Sequence, residues 1–460
     1  MINNFIKSRI KDAKSLVKEL LKEYEYASIL GKYVKTKRII VSTNTNSVDD
    51  VDNECGFVIK LYKNGRYSEY SCNDIRGLNV SDINKATKLT NVYSNNYSIP
   101  MLSEEKHVES FLREDGHDIK DKHVIDKLRN IKNACENEDK RVIQVFCAYV
   151  KRETSSIFVS NKKVLDQKYD WINTTLQVVV RDGNNIKYNY SVEGEADSKL
   201  ALDAIEKSYK NTLDIAIKLL DAKPIEPGVY DIITDPSISG LIAHEAFGHG
   251  VEMDMFVKNR AKAKDFVGKY VASPVVNMFD GAAATLSAAS YFFDDDGIEA
   301  SNTQIIKNGV LQTGISDSLS ALQLGTKPTG NGRREAFDHK VYTRMTNTFF
   351  GKGKDNLDDM FKSIKHGYYL CETNNGMEDP KNWQIQCTAS YGLEIKDGKF
   401  TGKIVSPVVI SGYVIDLLSS ITMVSKDFKV HGSGMCGKGH KEWVYVADGG
   451  PYLKGRAKLG

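Results

Sequence analysis

A long amphipathic segment that ends at two closely spaced prolines divides this chain. The segment DSKLALDAIEKSYKNTLDIAIKLLDAK (197–223) repeats apolar residues at helical spacing, which predicts one long helix. KPIEPG (223–228) follows it, and neither proline can continue a helix because proline lacks a backbone N–H. A chain of 460 residues is also long enough for more than one domain. We therefore predict two domains, residues 1–224 and residues 225–460.

Hydrophobic periodicity predicts helices and an antiparallel sheet in the first domain. Apolar residues at helical spacing predict a helix over 1–22 and another from about Glu104 onward. The pair Asn64-Gly65 lies between two strand-like runs and accepts the positive φ of a tight hairpin turn. From Arg141, four strand-like runs alternate with turns, one of them at Asp182-Gly183-Asn184, which is typical of an antiparallel meander.

The second domain is rich in glycine and mostly strand-like. Hairpin signals occur at Asn308-Gly309 and at Asp397-Gly398. The expected fold class is therefore α+β, with an antiparallel sheet and flanking helices followed by a Gly-rich, mostly β domain.

Charge and apolar pattern exclude several classes of function. Lys and Arg total 63 against 60 Asp and Glu, and a net charge of +3 gives no field that attracts nucleic acid or an anionic membrane. No apolar run reaches the roughly 20 residues of a membrane helix, and MINNFIKSRIKD is too charged for a signal peptide. The seven cysteines include no C-x-x-C pair, so we expect free thiols and a cytoplasmic location.

The string HEAFGH, from His244 to His249, is the strongest local signal for chemistry. Two histidines flanking a glutamate on a helix suggest a zinc site with a carboxylate base. The spacing differs from the common H-E-x-x-H motif, because residues five apart on a regular helix point about 140° apart. One extra residue in the turn, as in a π-bulge, would return both histidines to one face. Gly248 and Gly250 favour such a distortion.

A core helix with hydrogen-bonded histidines is the alternative interpretation. Glu245 counts against it, since a carboxylate on an apolar helix is costly to bury without a cation or a donor. Catalytic zinc typically has three protein ligands, and Cys436 is the candidate for the third. The glycines around Cys436 let its backbone approach a metal, and Lys438 and His440 would lower the pKa of its thiol. Spacing alone does not join Cys436 to the two histidines.

The loop around Cys436 also contains two patterns that imitate nucleotide-binding motifs. Gly432, Gly434 and Gly437 spell G-x-G-x-x-G, and the run from Gly432 to Lys438 spells G-x-x-x-x-G-K. The second pattern lacks the Ser or Thr that holds Mg²⁺, and a strand-like run follows where a phosphate-binding helix is required. We therefore do not expect nucleotide binding.

Two polar segments allow more than one interpretation. TGNGRREAFDHKVYTRMTNT (329–348) contains residues that could clamp a carboxylate or carbonyl of a substrate, namely Arg333, Arg334, His339 and Arg344. A solvated loop with structural ion pairs is the other interpretation, and the sequence alone favours it. DDDG (294–297) lacks the ligand offsets of a calcium loop and predicts a turn.

Taken together, these segments resemble the TldD/PmbA family of metallopeptidases, also described as modulators of DNA gyrase, in its metal-bearing TldD-type branch. HEAFGHGVEMD is similar to the family's H-E-x-x-x-H helix, and FFDDDGIEAS with IIKNGVL is similar to its acidic turn and hairpin. PTGNGRRE, RMTNT, GMCGKG and GGPYL match further family strings in the same order across 244–453. Two departures are Gly439-His440, where the family has other residues, and the Lys- and Asn-rich region 81–135.

The resemblance implies a zinc-dependent metallopeptidase with one Zn²⁺ per chain. It implies zinc ligation by His244, His249 and Cys436, with Glu245 as the general base for a metal-activated water. It also implies unfolded or extended peptides as substrates, and a homodimer or a heterodimer with a metal-free paralogue.

Two other functions remain open at this point. One is a non-catalytic peptide-binding or assembly subunit of such a complex, whose metal is structural or absent. The other is a metal-free thiol enzyme that uses Cys436 with His440 or His431, which requires only a thiol and an imidazole within reach.

Overall fold

Two large sheets organise the chain in a computed structural model, which describes residues 2–91, 101–439 and 441–460. The first sheet has eight strands from residues 26–195, and the second has eleven strands from residues 228–459. Helices pack against both sheets, so the predicted α+β class is confirmed. The division into two folding domains stays a prediction.

The first half contains five α-helices and eight strands in its described residues. The helices are α1 (Asn4–Ser8), α2 (Ile10–Leu20), α3 (Val80–Ala86), α4 (Asp121–Glu138) and α5 (Ser198–Lys218). The strands are β1 (Tyr26–Ser42), β2 (Asn46–Lys63), β3 (Arg66–Cys72), β4 (Thr90–Asn91), β5 (His107–Arg113), β6 (Val142–Val159), β7 (Lys163–Asp182) and β8 (Asn185–Glu195). They pair in the order β4-β3-β2-β1-β6-β7-β5, with β8 also on β7, and only the β5–β7 pair is parallel.

Most of the predicted elements of this half are present. The hairpin turn at Asn64-Gly65 joins β2 to β3, the meander is β6-β7-β8, and α5 begins at a cap made by the Asp197 side chain. The helix predicted from Glu104 is wrong in its first part, because β5 pairs with β7 and the helix begins at Asp121. The helix predicted over 1–22 is interrupted at Arg9, whose side chain bonds twice to the carboxylate of Asp74.

The second half is mostly β. Its strands are β9 (Gly228–Thr234), β10 (Met278–Asp280), β11 (Thr303–Lys307), β12 (Val310–Leu311), β13 (Gly332–Arg333), β14 (Tyr342–Thr343), β15 (Asn347–Phe350), β16 (His366–Asp379), β17 (Gln384–Lys396), β18 (Lys399–Val405), β19 (Val408–Tyr413), β20 (Met423–Cys436) and β21 (Val444–Leu459). Its α-helices are α6 (Pro236–Leu241), α7 (Met253–Val257), α8 (Ser318–Leu324), α9 (Leu357–Lys362) and α10 (Val414–Ser419).

Strand β21 ties this half together. It pairs with β19, with β20 and with β9, so that β9, β16, β17, β19 and β21 form a closed circuit of strands. The hairpins predicted at Asn308-Gly309 and Asp397-Gly398 are β11–β12 and β17–β18. The largest apolar cluster of the described residues lies in this half, and it contains the apolar residues of the helix after β9.

Buried ion pairs join the two halves. The turn predicted from DDDG (294–297) is present, and two of its carboxylates bind lysines of the first sheet. Lys60 pairs with Asp296, and their side chains are only 6% and 2% exposed. Arg334 bonds through two nitrogens to Glu69 on β3. In the part of the chain that the structure describes, no helix combines the length and apolar character needed to cross a bilayer.

Candidate metal centre

The helix that carries HEAFGH has an expanded turn. Asp235 caps α6 by accepting a hydrogen bond from the backbone of Ile238, and Pro236 occupies the first turn. The chain then turns as a π-helix over Ile242–Gly248 and as a 3₁₀-helix over His249–Val251. The distortion predicted from the spacing is therefore present. It brings the imidazoles of His244 and His249 together, with ring centroids 5.2 Å apart.

Gly248 is required by packing rather than by backbone freedom. Its φ of −61° and ψ of −51° are ordinary helical values. A Cβ at this position would lie 2.2 Å from Sδ of Met345 and 3.1 Å from the carbonyl oxygen of Ala243. The missing side chain thus lets Met345 approach the expanded turn.

Cys436 reaches the two histidines from the last residue of β20. Its Sγ lies 3.3 Å from Nε2 of His249, and one donor atom from each of His244, His249 and Cys436 lies within 4.8 Å of the others. Both His244 and Cys436 are buried. The fold thus joins two segments that the sequence leaves far apart.

Electrostatics favour a thiolate at this position. Burial raises the pKa of the Cys436 thiol, but the imidazoles of His244 and His249 have the larger effect and lower this pKa to about 5. Nη2 of Arg344 also donates a hydrogen bond to Sγ over 2.9 Å. Burial lowers the pKa of His244, whereas Cys436 and Glu245 raise it, to about 9. The two imidazoles and the guanidinium therefore favour the ionised form of the Cys436 sulfur.

A buried carboxylate, Glu252, orients one of the histidines. Its Oε2 lies 3.5 Å from Nδ1 of His249, and it pairs with Lys438 and Arg344 at 3.0 and 3.3 Å. Burial raises the pKa of Glu252, but Lys438, His249 and Arg344 together hold it far below its usual range. A carboxylate behind a ligating histidine fixes the orientation of the ring.

Glu245 lies across the front of the two imidazoles. Its carboxylate oxygens are 3.9 Å from Nε2 of His244 and 3.9 Å from Nε2 of His249, and its side chain is 18% exposed. Its aliphatic part packs on Gly376 of β16, where a Cβ would lie 2.6 Å from Cγ of Glu245. Glu245 is therefore positioned beside the donor atoms and remains accessible.

The donor set fits a zinc ion. Two imidazole nitrogens and one thiolate are zinc ligands, and three protein ligands are typical of catalytic sites. The Sγ–Nε2 distance of 3.3 Å is near the about 3.5 Å that tetrahedral zinc sets between such ligands. Nδ1 of His244 is buried and lacks a hydrogen-bond partner in the described residues. This unpaired nitrogen counts against a core helix whose histidines are satisfied by hydrogen bonds.

Comparison with known proteins places these residues in a family. The model of the PmbA/TldA metallopeptidase C-terminal domain matches residues 227–454. A metalloprotease of Methanothermobacter thermautotrophicus is 30% identical over 316 residues, which cover 68% of each chain. This chain belongs to the TldD/PmbA metallopeptidase family. A zinc metalloprotease TldD homolog of Saccharolobus solfataricus is 31% identical over 239 residues, 52% of this chain and 53% of that protein.

The whole chain also shares its fold with a solved structure. TldE from Thermococcus kodakarensis superposes with a TM-score of 0.74 over 97% of this chain and 99% of that one, at 18% identity. This likeness shows the fold of a TldD/PmbA protein in both halves, including the half that the family model does not match.

Two arginines of the 329–348 segment of this TldD/PmbA chain are more buried than a substrate clamp requires. Arg334 is 4% exposed and binds Glu69 and the carbonyl of His339, and Arg344 is 0% exposed beside Cys436 and Glu252. Arg334 and Arg344 form structural ion pairs, as the alternative interpretation of this segment expects, but these pairs are buried rather than solvated. Arg333 and His339 line a cavity of about 680 Å³ between the two halves, where a substrate role stays a prediction.

The residues that support Cys436 differ from those the sequence suggests. His440 lies outside the described residues. Lys438 binds Glu252 and Asp254 rather than the thiol, and burial lowers the pKa of His431 to about 4. Among the described residues, the imidazoles that act on Sγ are those of His244 and His249, and Nε2 of His249 lies 3.3 Å from it. Sequence reasoning did not identify Glu252, although its position three residues after His249 places it within reach of that ring.

Proposed function

We propose that this chain is a zinc-dependent peptidase that uses Glu245 as a general base on unfolded or extended peptides. The observation that supports the proposal most directly is the meeting of His244, His249 and Cys436, with Glu245 3.9 Å from both imidazoles. The names of its relatives as metalloproteases, one of them a zinc metalloprotease, support it further.

Each residue of the centre has a distinct task in this proposal. His244, His249 and Cys436 would hold zinc, which supplies a Lewis acid that polarises the scissile carbonyl and lowers the pKa of water. Glu252 keeps Nε2 of His249 directed at the centre, since it pairs with Nδ1. Arg344 keeps the sulfur ionised, since its guanidinium donates to Sγ.

Glu245 moves the proton. Its carboxylate accepts a proton from the attacking water at one oxygen and delivers it to the nitrogen of the leaving amine. A base of this kind must be within reach of water and must keep its orientation. The 18% exposure of its side chain and the packing of Cγ on Gly376 meet these two requirements.

An extended peptide would bind beside β20. Among the described residues this strand pairs with β21 along one edge, while Asp355 bridges its other edge at Ser425 and Trp171 donates to the carbonyl of Gly432. A peptide strand would use the main-chain groups on the rest of that second edge. Main-chain pairing gives affinity with little sequence preference, which suits unfolded substrates. We further propose that the functional unit is a dimer, either with a second copy or with a metal-free paralogue.

The decisive experiment compares Glu245→Gln with wild type and with Cys436→Ser. We expect Glu245→Gln to keep the zinc held by His244, His249 and Cys436 and to lose at least about a hundredfold in peptide cleavage rate. Cys436→Ser should lose the zinc of this centre together with cleavage. Cleavage at the wild-type rate by zinc-loaded Glu245→Gln would exclude the mechanism. Wild type that binds peptide but never cleaves it would identify a binding subunit, and cleavage that survives chelation would identify a thiol enzyme.

A further inference from the structure

A second group of metal-ligating side chains lies apart from the three donors of the first centre. Glu335, His339 and Glu442 each place one donor atom within 4.8 Å of the others. The side chains of Glu335 and His339 are 31% and 42% exposed, whereas that of Glu442 is 13% exposed. Glu335 and His339 line the 680 Å³ cavity between the two halves. None of the three belongs to the proposed catalytic machinery.

The distances within this group are those of ligands around a metal rather than of hydrogen bonds. Nδ1 of His339 lies 3.5 Å from Oε2 of Glu335 and 3.6 Å from Oε2 of Glu442. A hydrogen bond between nitrogen and a carboxylate spans about 2.7–3.2 Å. Two ligands that are each about 2.1 Å from zinc lie about 3.4 Å apart at a tetrahedral angle. One nitrogen lies at nearly the same distance from both carboxylates and bonds to neither.

The carboxylate of Glu442 lacks the partner that its burial requires. Its Oε2 is buried and has no hydrogen-bond partner among the described residues. In the same part of the chain, no lysine or arginine forms an ion pair with Glu335 or with Glu442. Nη1 and Nη2 of the neighbouring Arg334 bond to Glu69 and to the carbonyl of His339. A buried carboxylate without a cation is costly, so a cation is expected here.

His107 provides a comparison, because it forms ordinary hydrogen bonds with two carboxylates. His107 uses a different nitrogen for each carboxylate, with Nε2 2.6 Å from Glu109 and Nδ1 2.7 Å from Glu299. These distances are those of charge-assisted hydrogen bonds, and the arrangement leaves no common point for an ion. The His339 group differs in both respects, since the same nitrogen faces both carboxylates at longer distances.

We propose that Glu335, His339 and Glu442 form a second metal site for a zinc-sized divalent transition-metal ion. One imidazole and two carboxylates are a donor set that zinc accepts and that calcium and magnesium, which prefer oxygen alone, do not match. The exposure of His339 and Glu335 leaves the cavity side of the ion open to a further ligand.

The second site is connected to the first through one arginine. Nη1 of Arg344 donates a hydrogen bond to the carbonyl oxygen of Glu442, while Nη2 donates to Sγ of Cys436. An ion bound to the carboxylate of Glu442 would fix the position of Glu442, whose carbonyl oxygen accepts the hydrogen bond from Arg344. The second metal is therefore a positioning element for the segment that follows Cys436, with no part in the chemical step.

The test is zinc stoichiometry by equilibrium dialysis against Zn²⁺ alone, followed by elemental analysis of the full-length chain. We expect two zinc ions for wild type, one for His339→Ala, one for Cys436→Ser and none for the double variant. His107→Ala is the matched control and should keep two. If His339→Ala fails to fold, Glu335→Gln replaces it, because Glu335 is partly exposed and its ion pair among the described residues is with His339 itself.

Cobalt substitution identifies which site is filled. Co²⁺ at Cys436 gives a thiolate-to-metal charge-transfer band, which His339→Ala should retain and Cys436→Ser should lose. Two zinc ions in His339→Ala, or a single wild-type ion that Cys436→Ser abolishes, would overturn the second site and leave the proposed function standing. A single wild-type ion that only His339→Ala abolishes would support the second site and reject the first.

Discussion

The guanidinium of Arg344 donates hydrogen bonds both to Sγ and to the carbonyl oxygen of Cys436, at 2.9 and 3.0 Å. The same side chain pairs with Glu252, which in turn faces His249. One fully buried arginine therefore contacts the thiolate directly and one histidine through a carboxylate. A planar group with several fixed donors is needed to reach these partners at once.

Arg344→Lys should weaken zinc binding. Lysine carries the charge but cannot bond to Sγ, to Glu252 and to the carbonyl of Glu442 together, so the thiolate loses its support. We expect a ten- to hundredfold loss of zinc affinity, about the range for partners of metal ligands, measured by competition with a chelator. Arg456→Lys, at an ion pair whose arginine is 67% exposed, is the control and should bind zinc as wild type does. Equal affinities in the two variants would contradict the role of Arg344.

Gly376→Ala should separate metal binding from cleavage. The new Cβ would lie 2.6 Å from Cγ of Glu245, so the carboxylate must move, while the zinc donors are untouched. We expect unchanged zinc content and a cleavage rate lower by about tenfold to a hundredfold. Gly460→Ala, whose new Cβ would have its nearest neighbour 4.0 Å away at Pro227, is the control and should keep the wild-type rate. A wild-type rate in Gly376→Ala would show that the position of Glu245 is unimportant.

Glu372 should make stability fall as pH rises. Burial, and next the carboxylate of Asp235, raise its pKa from 4.5 to about 7. The unfolded chain therefore ionises first, so stability is complete below about pH 4.5 and is lost as pH rises through 7, by up to about 3 kcal/mol. Glu372→Gln should be more stable than wild type at pH 8, with the difference shrinking towards pH 5. Urea unfolding at both pH values measures this, and a difference independent of pH would contradict it.

Lys60→Met should loosen the contact between the two halves. It leaves the carboxylate of Asp296, which is 2% exposed, without its lysine partner inside the protein. Removing one member of a buried pair costs about 3–5 kcal/mol, which a lower urea midpoint would report. Lys210→Met is the control, since Lys210 pairs with Glu138 while 60% exposed and should cost less than about 1 kcal/mol. Equal midpoints for the two variants would argue against a stabilising role for the buried pair.

The sequence predicts features that depend on local geometry. The five-residue separation of His244 and His249 requires an expanded turn for the two rings to meet, and the π-helix supplies it. The hairpins at Asn64-Gly65 and Asn308-Gly309 follow from residues that accept positive φ. Each of these depends on a few neighbouring residues, so a short pattern is sufficient.

Features set by distant contacts are not predictable in this way. β5 has the spacing of a helix, yet it forms an edge strand on β7 and leaves Val108 and Leu112 exposed. Two carboxylates of the DDDG turn, those of Asp295 and Asp296, are withdrawn from solvent because lysines of another sheet pair with them. Burial of Arg344 likewise depends on Cys436 and Glu252, which lie in separate segments. In the sequence, only the resemblance to the TldD/PmbA family connects Cys436 with His244 and His249. The fold brings their donor atoms together.

The order of the three donors along the chain has a consequence for biosynthesis. His244 and His249 leave the ribosome well before Cys436, whose strand β20 is held in place by β21, and β21 comes later still. A nascent chain thus presents two histidines without the thiolate, and two ligands bind zinc weakly. Under the proposed function, a peptidase that cleaves unfolded polypeptides cannot attack its own chain or its ribosomal neighbours until Cys436 and β21 have been synthesised.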